Sequence, residues 1–207
     1  NSHAVGSSIT VTANTNSSAF YSKNSSTLTF SNSTFSNNSA TIFRSDWGST
    51  PSNTSDTETD YTNRITVTDS IFSSNSGAIF YTERYVKIDN CTFDGNSGYI
   101  GNFRGLNRYQ VLNSAFTNNT GSILFTFSNY NLGTGWSAST LGANHHLFDG
   151  NTFSGNTGTV IDPGPDPSDG STSYYGSKTT ITNNTFQDNG VNWTGTPADT
   201  SGNTEVD

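Results

Sequence analysis

Five aspartates recur inside a repeated pattern, and their carboxylates are the groups best placed for acid–base chemistry: Asp69, Asp89, Asp94, Asp149 and Asp188. Cleaving an acidic polysaccharide would need two or more of them close together, with an Arg, a Lys or a calcium ion alongside. Their places in the pattern do not suggest this. Asp69 stands three residues before its phenylalanine, in a column filled elsewhere by Asn or Gly, so a backbone role accounts for it. Asp94 and Asp188 fall one and two residues after theirs, in copies far apart. No clustered pair emerges, and no hydrolase or lyase activity is expected. Asp162, Asp166 and Asp169 offer oxygen ligands of the kind calcium takes. They match no calcium-loop spacing, however, and Pro-Asp and Asp-Gly are ordinary turn pairs. No cofactor is expected; calcium at this segment is the only candidate.

Other reactive side chains have plain structural readings. His146, of the pair His145-His146, shares a column with Leu28, Ile65, Val86 and Tyr109, which points to a packed histidine rather than a metal ligand. The single cysteine, Cys91, stands two before Phe93, where other copies carry Ser or Asn; it reads as a small, partly buried residue without a disulfide partner. Nine Asn-x-Ser/Thr sequons occur, at Asn16, Asn24, Asn32, Asn37, Asn53, Asn90, Asn118, Asn183 and Asn192. With 65 Ser and Thr and 27 Asn in 207 residues, about that many arise by chance. Asn24 and Asn53 sit in loops where a glycan would fit.

What positions these residues is a repeat. Aligned on phenylalanine, copies centre on Phe35, Phe72, Phe93, Phe116, Phe153 and Phe186. Three residues on stands Asn38, Asn75, Asn96, Asn119, Asn156 or Asn189, and seven on stands Ile42, Ile79, Ile100, Ile123, Val160 or Trp193. Three before stands Asn32, Asp69, Asn90, Asn113, Gly150 or Asn183, all residues that tolerate a left-handed backbone. Short runs of alternating apolar and polar residues between turn-formers indicate strands. Successive phenylalanines lie 37, 21, 23, 37 and 33 apart, so about 21 is the basic period. That is too short for a propeller blade, and a sandwich needs no recurring asparagine column. The pattern predicts an all-β, right-handed parallel β-helix of about seven coils, phenylalanines stacked inside and asparagine amides laddered at a turn.

Residues 1–193 form one solenoid domain on this reading. Residues 1–21 are a degenerate first coil that lacks its phenylalanine, and residues 194–207 a polar, extended or loosely packed tail. Three insertions begin after the apolar residue seven past the Phe: Arg44 to Asn63, about Thr126 to Asn144, and Asp162 to Gly170 followed by Tyr174-Tyr175. All should leave from one side of the solenoid. Their aromatics, Trp47, Tyr130, Trp136, Tyr174 and Tyr175, suit sugar stacking, a subunit interface or packing on the flank. The net charge of −8 argues against nucleic acid, and no apolar run approaches the about 20 residues of a membrane span. A chain beginning Asn1-Ser2 reads as processed. Hydrophobic content of 29% suffices for a narrow core, and the 13% aromatic content argues against disorder.

The segments Phe72-Ser-Ser-Asn-Ser-Gly-Ala-Ile79, Phe93-Asp-Gly-Asn-Ser-Gly-Tyr-Ile100 and Phe116-Thr-Asn-Asn-Thr-Gly-Ser-Ile123 resemble the FxxN and GGAI-type repeats of polymorphic outer-membrane proteins and related β-helix surface proteins. The resemblance covers roughly residues 28–193 and implies a secreted adhesin-like coil. The chain departs from it in having one glycine rather than two, with Ala40 in copy one, and in lacking an outer-membrane barrel. The NTD, DD, GHG and RIK signatures of polygalacturonases, another β-helix group, are absent.

The expectation is thus a non-enzymatic extracellular or cell-surface structural protein. No capping helix precedes Ile9 or follows Trp193, so the ends are expected either to be plugged or to meet a neighbour. In the second case the first coil, at Ile9 and Val11, contacts the last coil of another copy, at Ile181 and Trp193. The tail would clasp the next subunit, and its removal would abolish fibres. An adhesin or glycan-binding segment is the alternative, and a polysaccharide lyase or hydrolase the second.

Overall fold

The computed structural model describes residues 2–22, 26–45, 64–82, 85–104, 108–128, 146–163 and 179–206, and its elements are all strands. They fall into three sheets of parallel neighbours. The first sheet runs β1 (Ser2–Ser7), β4 (Ser26–Ser31), β7 (Arg64–Thr68), β10 (Tyr85–Asp89), β13 (Tyr109–Leu112), β16 (His146–Asp149) and β19 (Thr179–Thr182). The second runs β2 (Thr10–Thr12), β5 (Thr34–Ser36), β8 (Ile71–Ser73), β11 (Thr92–Asp94), β14 (Ala115–Thr117), β17 (Thr152–Ser154), β20 (Thr185–Gln187) and β22 (Thr204–Val206). The third runs β3 (Phe20–Ser22), β6 (Phe43–Ser45), β9 (Phe80–Thr82), β12 (Gly101–Arg104), β15 (Ile123–Ser128), β18 (Thr159–Asp162) and β21 (Val191–Trp193). Each coil contributes one strand to each sheet. The chain is a right-handed parallel β-helix of seven coils, and β22 begins an eighth.

Two corners of each coil are made by one left-handed residue apiece. The first, between the first and second sheets, holds Ser8, Asn32, Asp69, Asn90, Asn113, Gly150, Asn183 and Gly202, with φ between 48° and 71°. The second, between the second and third sheets, holds Ala13, Asn37, Ser74, Gly95, Asn118, Gly155 and Asp188, with φ between 50° and 65°. Asn, Asp and Gly dominate both because they reach this conformation at least cost. Three-residue strands between such corners leave one inward side chain per second-sheet strand, and in coils two to seven that residue is the phenylalanine.

The phenylalanines form a continuous column. Ring centroids are 4.8 Å apart for Phe35–Phe72, 4.6 Å for Phe72–Phe93, 4.7 Å for Phe93–Phe116, 4.8 Å for Phe116–Phe153 and 5.1 Å for Phe153–Phe186. These spacings follow the strand separation, since in-register parallel strands repeat each side chain at that interval. All six are buried. A second inward column, on the third sheet, reads Phe20, Phe43, Phe80, Gly101, Phe125, Ile161 and Trp193. At Gly101 the Phe103 ring occupies the space a Cβ would need.

The structure departs from the sequence reading in several places. Leu124, not Ile123, pairs with Ile100 and Val160 and is fully buried, while Ile123 is half-buried. Coil five, β13 to β15, has one extra residue after its asparagine, and a one-residue slip in a strand moves each side chain to the other face. Trp193 is likewise displaced by one, because coil seven is one residue shorter, and it pairs with Ile161. In the first coil Val11 takes the phenylalanine place opposite Phe35, and Ile9 lies outside β2, beside Gly6. Finally, the tail, expected to be extended or loosely packed, is extended at β22 but also paired within residues 194–206: β22 pairs with β20, and Asp199 bridges to Thr180.

Candidate functional site

Most corner residues are followed by a buried or half-buried polar side chain, which gives two ladders along the solenoid; after Ser8 stands Ile9 and after Asn90 stands Cys91. In the ladder three past the phenylalanine, the Oδ1 of each asparagine accepts from both the backbone N–H and the amide Nδ2 of the asparagine one coil earlier. The distances are 3.0 and 2.9 Å for Asn38 to Asn75, Asn75 to Asn96 and Asn96 to Asn119. Asn119 to Asn156 and Asn156 to Asn189 follow at 2.8–3.1 Å. Each Nδ2 also donates to a core carbonyl one coil earlier, as Asn96 does to Phe72 at 3.0 Å and Asn189 to Phe153 at 2.9 Å. Asn14 starts the column, its backbone N–H donating to Asn38 Oδ1 at 2.9 Å. The polar atoms of each buried amide in this ladder are thereby answered from the coils on either side.

A second ladder, two before the phenylalanine, was not legible as a column because its members differ: Ser33, Ser70, Cys91, Ser114, Asn151, Asn184 and Asn203. The backbone N–H of Ser33 donates to Ser70 Oγ, that of Cys91 to Ser114 Oγ, and that of Ser114 to Asn151 Oδ1, at 3.0–3.1 Å. Asn151 donates to Asn184, and Asn184 to Asn203, at 2.9 Å from each backbone N–H. Cys91 holds a serine's place, its Sγ 3.4 Å from the Asp89 carbonyl. Burial pushes its thiol up to about 12, so it stays protonated and unreactive at neutral pH.

The repeat aspartates are tied to neighbouring coils rather than to one another. Asp69 Oδ1 accepts from Asn90 Nδ2 at 2.7 Å, Asp89 from Asn113 at 3.0 Å, and Asp149 from Asn183 at 2.8 Å. Asp94 Oδ1 accepts from Thr117 Oγ1 at 2.6 Å and Asn118 Nδ2 at 3.3 Å. Asp188 is a corner residue with φ 50°. Among the described residues no three His, Cys, Asp or Glu side chains gather as metal ligands. His146 is fully buried, 5.1 Å from the Tyr109 ring and 4.7 Å from Phe127. Asp162 ends β18 and accepts from Thr194 Oγ1 at 2.7 Å. Asp166, Asp169, His145, Asn24, Asn53 and the aromatics Trp47, Tyr130, Trp136, Tyr174 and Tyr175 lie outside the described residues.

The strands flanking the three insertions are β6 and β7, β15 and β16, and β18 and β19. All three connections therefore leave the corner between the third and first sheets. At another corner, between the second and third sheets, Tyr99 is 38% exposed in a shallow groove that Ser76, Ser97, Gly98, Gly121 and Ser122 help to line.

The two end faces differ. At the first coil, β1, β2 and β3 each have a strand on one side only among the described residues, and Val5 is 67% exposed. At the other end Ile181, expected on a contact face, is instead fully buried. The eighth coil lies over it: Ile181 N–H donates to the Asp199 carbonyl at 2.9 Å, and Asn203 Nδ2 donates to the Ile181 carbonyl at 2.7 Å. Trp193 remains half-buried, edge-on to Phe186 at 5.3 Å. Glu205 stands opposite Phe186, in the phenylalanine column, and is exposed.

No family model matches the chain, and no curated protein matches it. Among solved structures it is similar to QnrB1, a plasmid-mediated fluoroquinolone resistance protein, at 10% identity over 100% of this chain and 92% of that one. The TM-score is 0.19, too low for that likeness to carry an argument. The fold rests on the three stacked parallel sheets themselves. Among the described residues no helix is long and apolar enough to cross a membrane.

Proposed function

We propose that this chain is a non-enzymatic structural protein of a cell surface or extracellular layer, whose solenoids meet end to end in a filament. The observation that carries this is the match between the outer face of the first coil and the internal step of the solenoid. Val11 sits in the phenylalanine column and Asn14 in the asparagine column, and among the described residues no strand pairs with the outer side of β1, β2 or β3. A second copy supplying a seventh coil below that edge would continue both columns. Such a head-to-tail contact does not close on itself, so it propagates. Among the repeat aspartates, Asp69, Asp89, Asp94 and Asp149 hydrogen-bond across coils and Asp188 makes a corner, which supports a structural rather than a catalytic use.

The test is association of the 207-residue chain, followed by sedimentation over rising concentration, against Thr10→Pro. In the internal steps the residue before the phenylalanine donates its N–H backward, as Thr34 does to Ile9 at 2.8 Å. The Thr10 N–H therefore points to the outer edge, where proline removes a donor without touching the ladder to β5. Growing assemblies for the parent chain and their loss in Thr10→Pro, at unchanged melting temperature, are expected. A parent chain that stays a monodisperse monomer at every concentration would overturn the reading.

A second reading, an adhesin or glycan-binding segment, is favoured by the three insertions sharing one corner and by Tyr99 exposed beside serine hydroxyls. The resemblance to polymorphic outer-membrane protein repeats points the same way. Binding to a panel of immobilised neutral glycans, lost in Tyr99→Ala or on shortening the insertions, would favour it.

A further inference from the structure

The eighth coil occupies the surface that a neighbour's first coil would use. It is held almost wholly by backbone and amide hydrogen bonds: Ala198 N–H to the Thr179 carbonyl at 2.8 Å, Asn183 N–H to Ser201 at 3.1 Å, and Thr204 N–H to Asn184 at 2.8 Å. All three residues of β22 are exposed, and between 195 and 206 only Pro197 and Asn203 are even half-buried. No side chain of this coil enters the core. Where every other coil places an apolar residue, this one places Glu205, held outward by Asn192 Nδ2 at 3.0 Å. A segment with exposed backbone bonds and no apolar burial opens readily compared with the coils beneath it.

Resting on the end-to-end reading above, we propose that residues 195–206 are a competing coil that limits assembly. The first coil of a second copy docks on coil seven only when this segment lifts away. The columns then continue: Val11 of the incoming copy takes the place after Phe186 that Phe186 takes after Phe153, and Asn14 brings its Oδ1 to the Asn189 donors as Asn189 does to those of Asn156. Apolar burial favours the exchange, since the tail offers Phe186 a carboxylate and the incoming coil a valine. One term opposes it. The backbone N–H and Nδ2 of Asn184 donate to Asn203 Oδ1 at 2.9 and 3.1 Å, and Ile9, in the same column of the first coil, supplies no side-chain acceptor. That amide holds the tail down in the isolated chain.

The experiment compares the critical concentration for fibre formation, read by pelleting, in three proteins: the 207-residue chain, the chain ending at Thr194, and Glu205→Leu. Truncation should lower the critical concentration by about tenfold or more. Glu205→Leu, which gives the competing coil an apolar contact on Phe186, should raise it and raise the melting temperature. A truncated chain that needs more protein to assemble, or Glu205→Leu that assembles more readily, would mean that the eighth coil is part of the contact; the competition would be refuted and the filament reading kept. If the parent chain stays a folded monomer at every concentration, the filament reading falls and the competition falls with it.

Discussion

Asn96 shows how a single residue serves this fold. Its Oδ1 accepts two hydrogen bonds from Asn75, and its Nδ2 donates to Phe72 and Asn119, all in a buried setting. Asn96→Leu strands the Asn75 donors and the Phe72 carbonyl, at about 1–3 kcal/mol for each buried group left unsatisfied. Asn102→Leu, at a half-buried third-sheet position outside the ladders, should stay within about 0.5 kcal/mol. Urea melts of the two variants compare them, and equal losses would remove the ladder from the account. Cys91 gives a pH signature. Its thiol rises from 9.0 to about 12 through burial, so the folded state favours the proton. That contribution is fully present below about pH 9 and drains away as pH climbs toward 12. Cys91→Ser, matching Ser70 and Ser114 in its column, should fold normally at pH 7 and lose less stability across that alkaline window. Identical alkaline melting profiles would contradict the assignment. The asparagine ladder was readable because one residue type recurs at one offset. The second ladder was not, because Ser, Cys and Asn meet the same need through different atoms.

At the scale of the coil, strand identity and corner chemistry could be read from short alternations ended by Asn, Asp and Gly. Register within the third sheet could not. Ser122-Ile123-Leu124-Phe125 is apolar on both faces, so nothing in the letters says which residue turns inward; the extra residue in coil five decides it. A small-residue column at this corner has a packing reason. A Cβ on Gly98 would fall on the Gly77 carbonyl oxygen, and one on Gly158 on that of Gly121. Neither obstacle is a movable side chain. Gly98→Ala should therefore force the coils apart and lower the melting temperature well beyond what helix or strand propensity accounts for. A change of under about 1 kcal/mol would show that the corner relaxes more easily than its close approach implies. The tail escaped the sequence reading for a related reason. Its strand carries no inward apolar residue, and pairing is signalled only by Asn203 and Gly202 falling two and three before Glu205.

For the whole molecule, the phenylalanine column gives the solenoid its axis, and the residue at each end of that column governs what can stack upon it. Phe93→Ala, in mid-column between rings at 4.6 and 4.7 Å, should cost about 3–5 kcal/mol, because the rigid coils cannot close over the void. The residues at the two ends of the described column, Val11 and Glu205, differ in kind: one is apolar and the other a carboxylate. The measurement that tests the proposed role most directly is electron microscopy of the 207-residue chain after concentration, with the axial repeat read from the images. End-to-end stacking of seven or eight coils at about 4.8 Å gives a repeat on the order of 34–38 Å along unbranched fibres about one solenoid wide. Single particles at every concentration, or fibres whose repeat does not fit a whole number of coils, would contradict it.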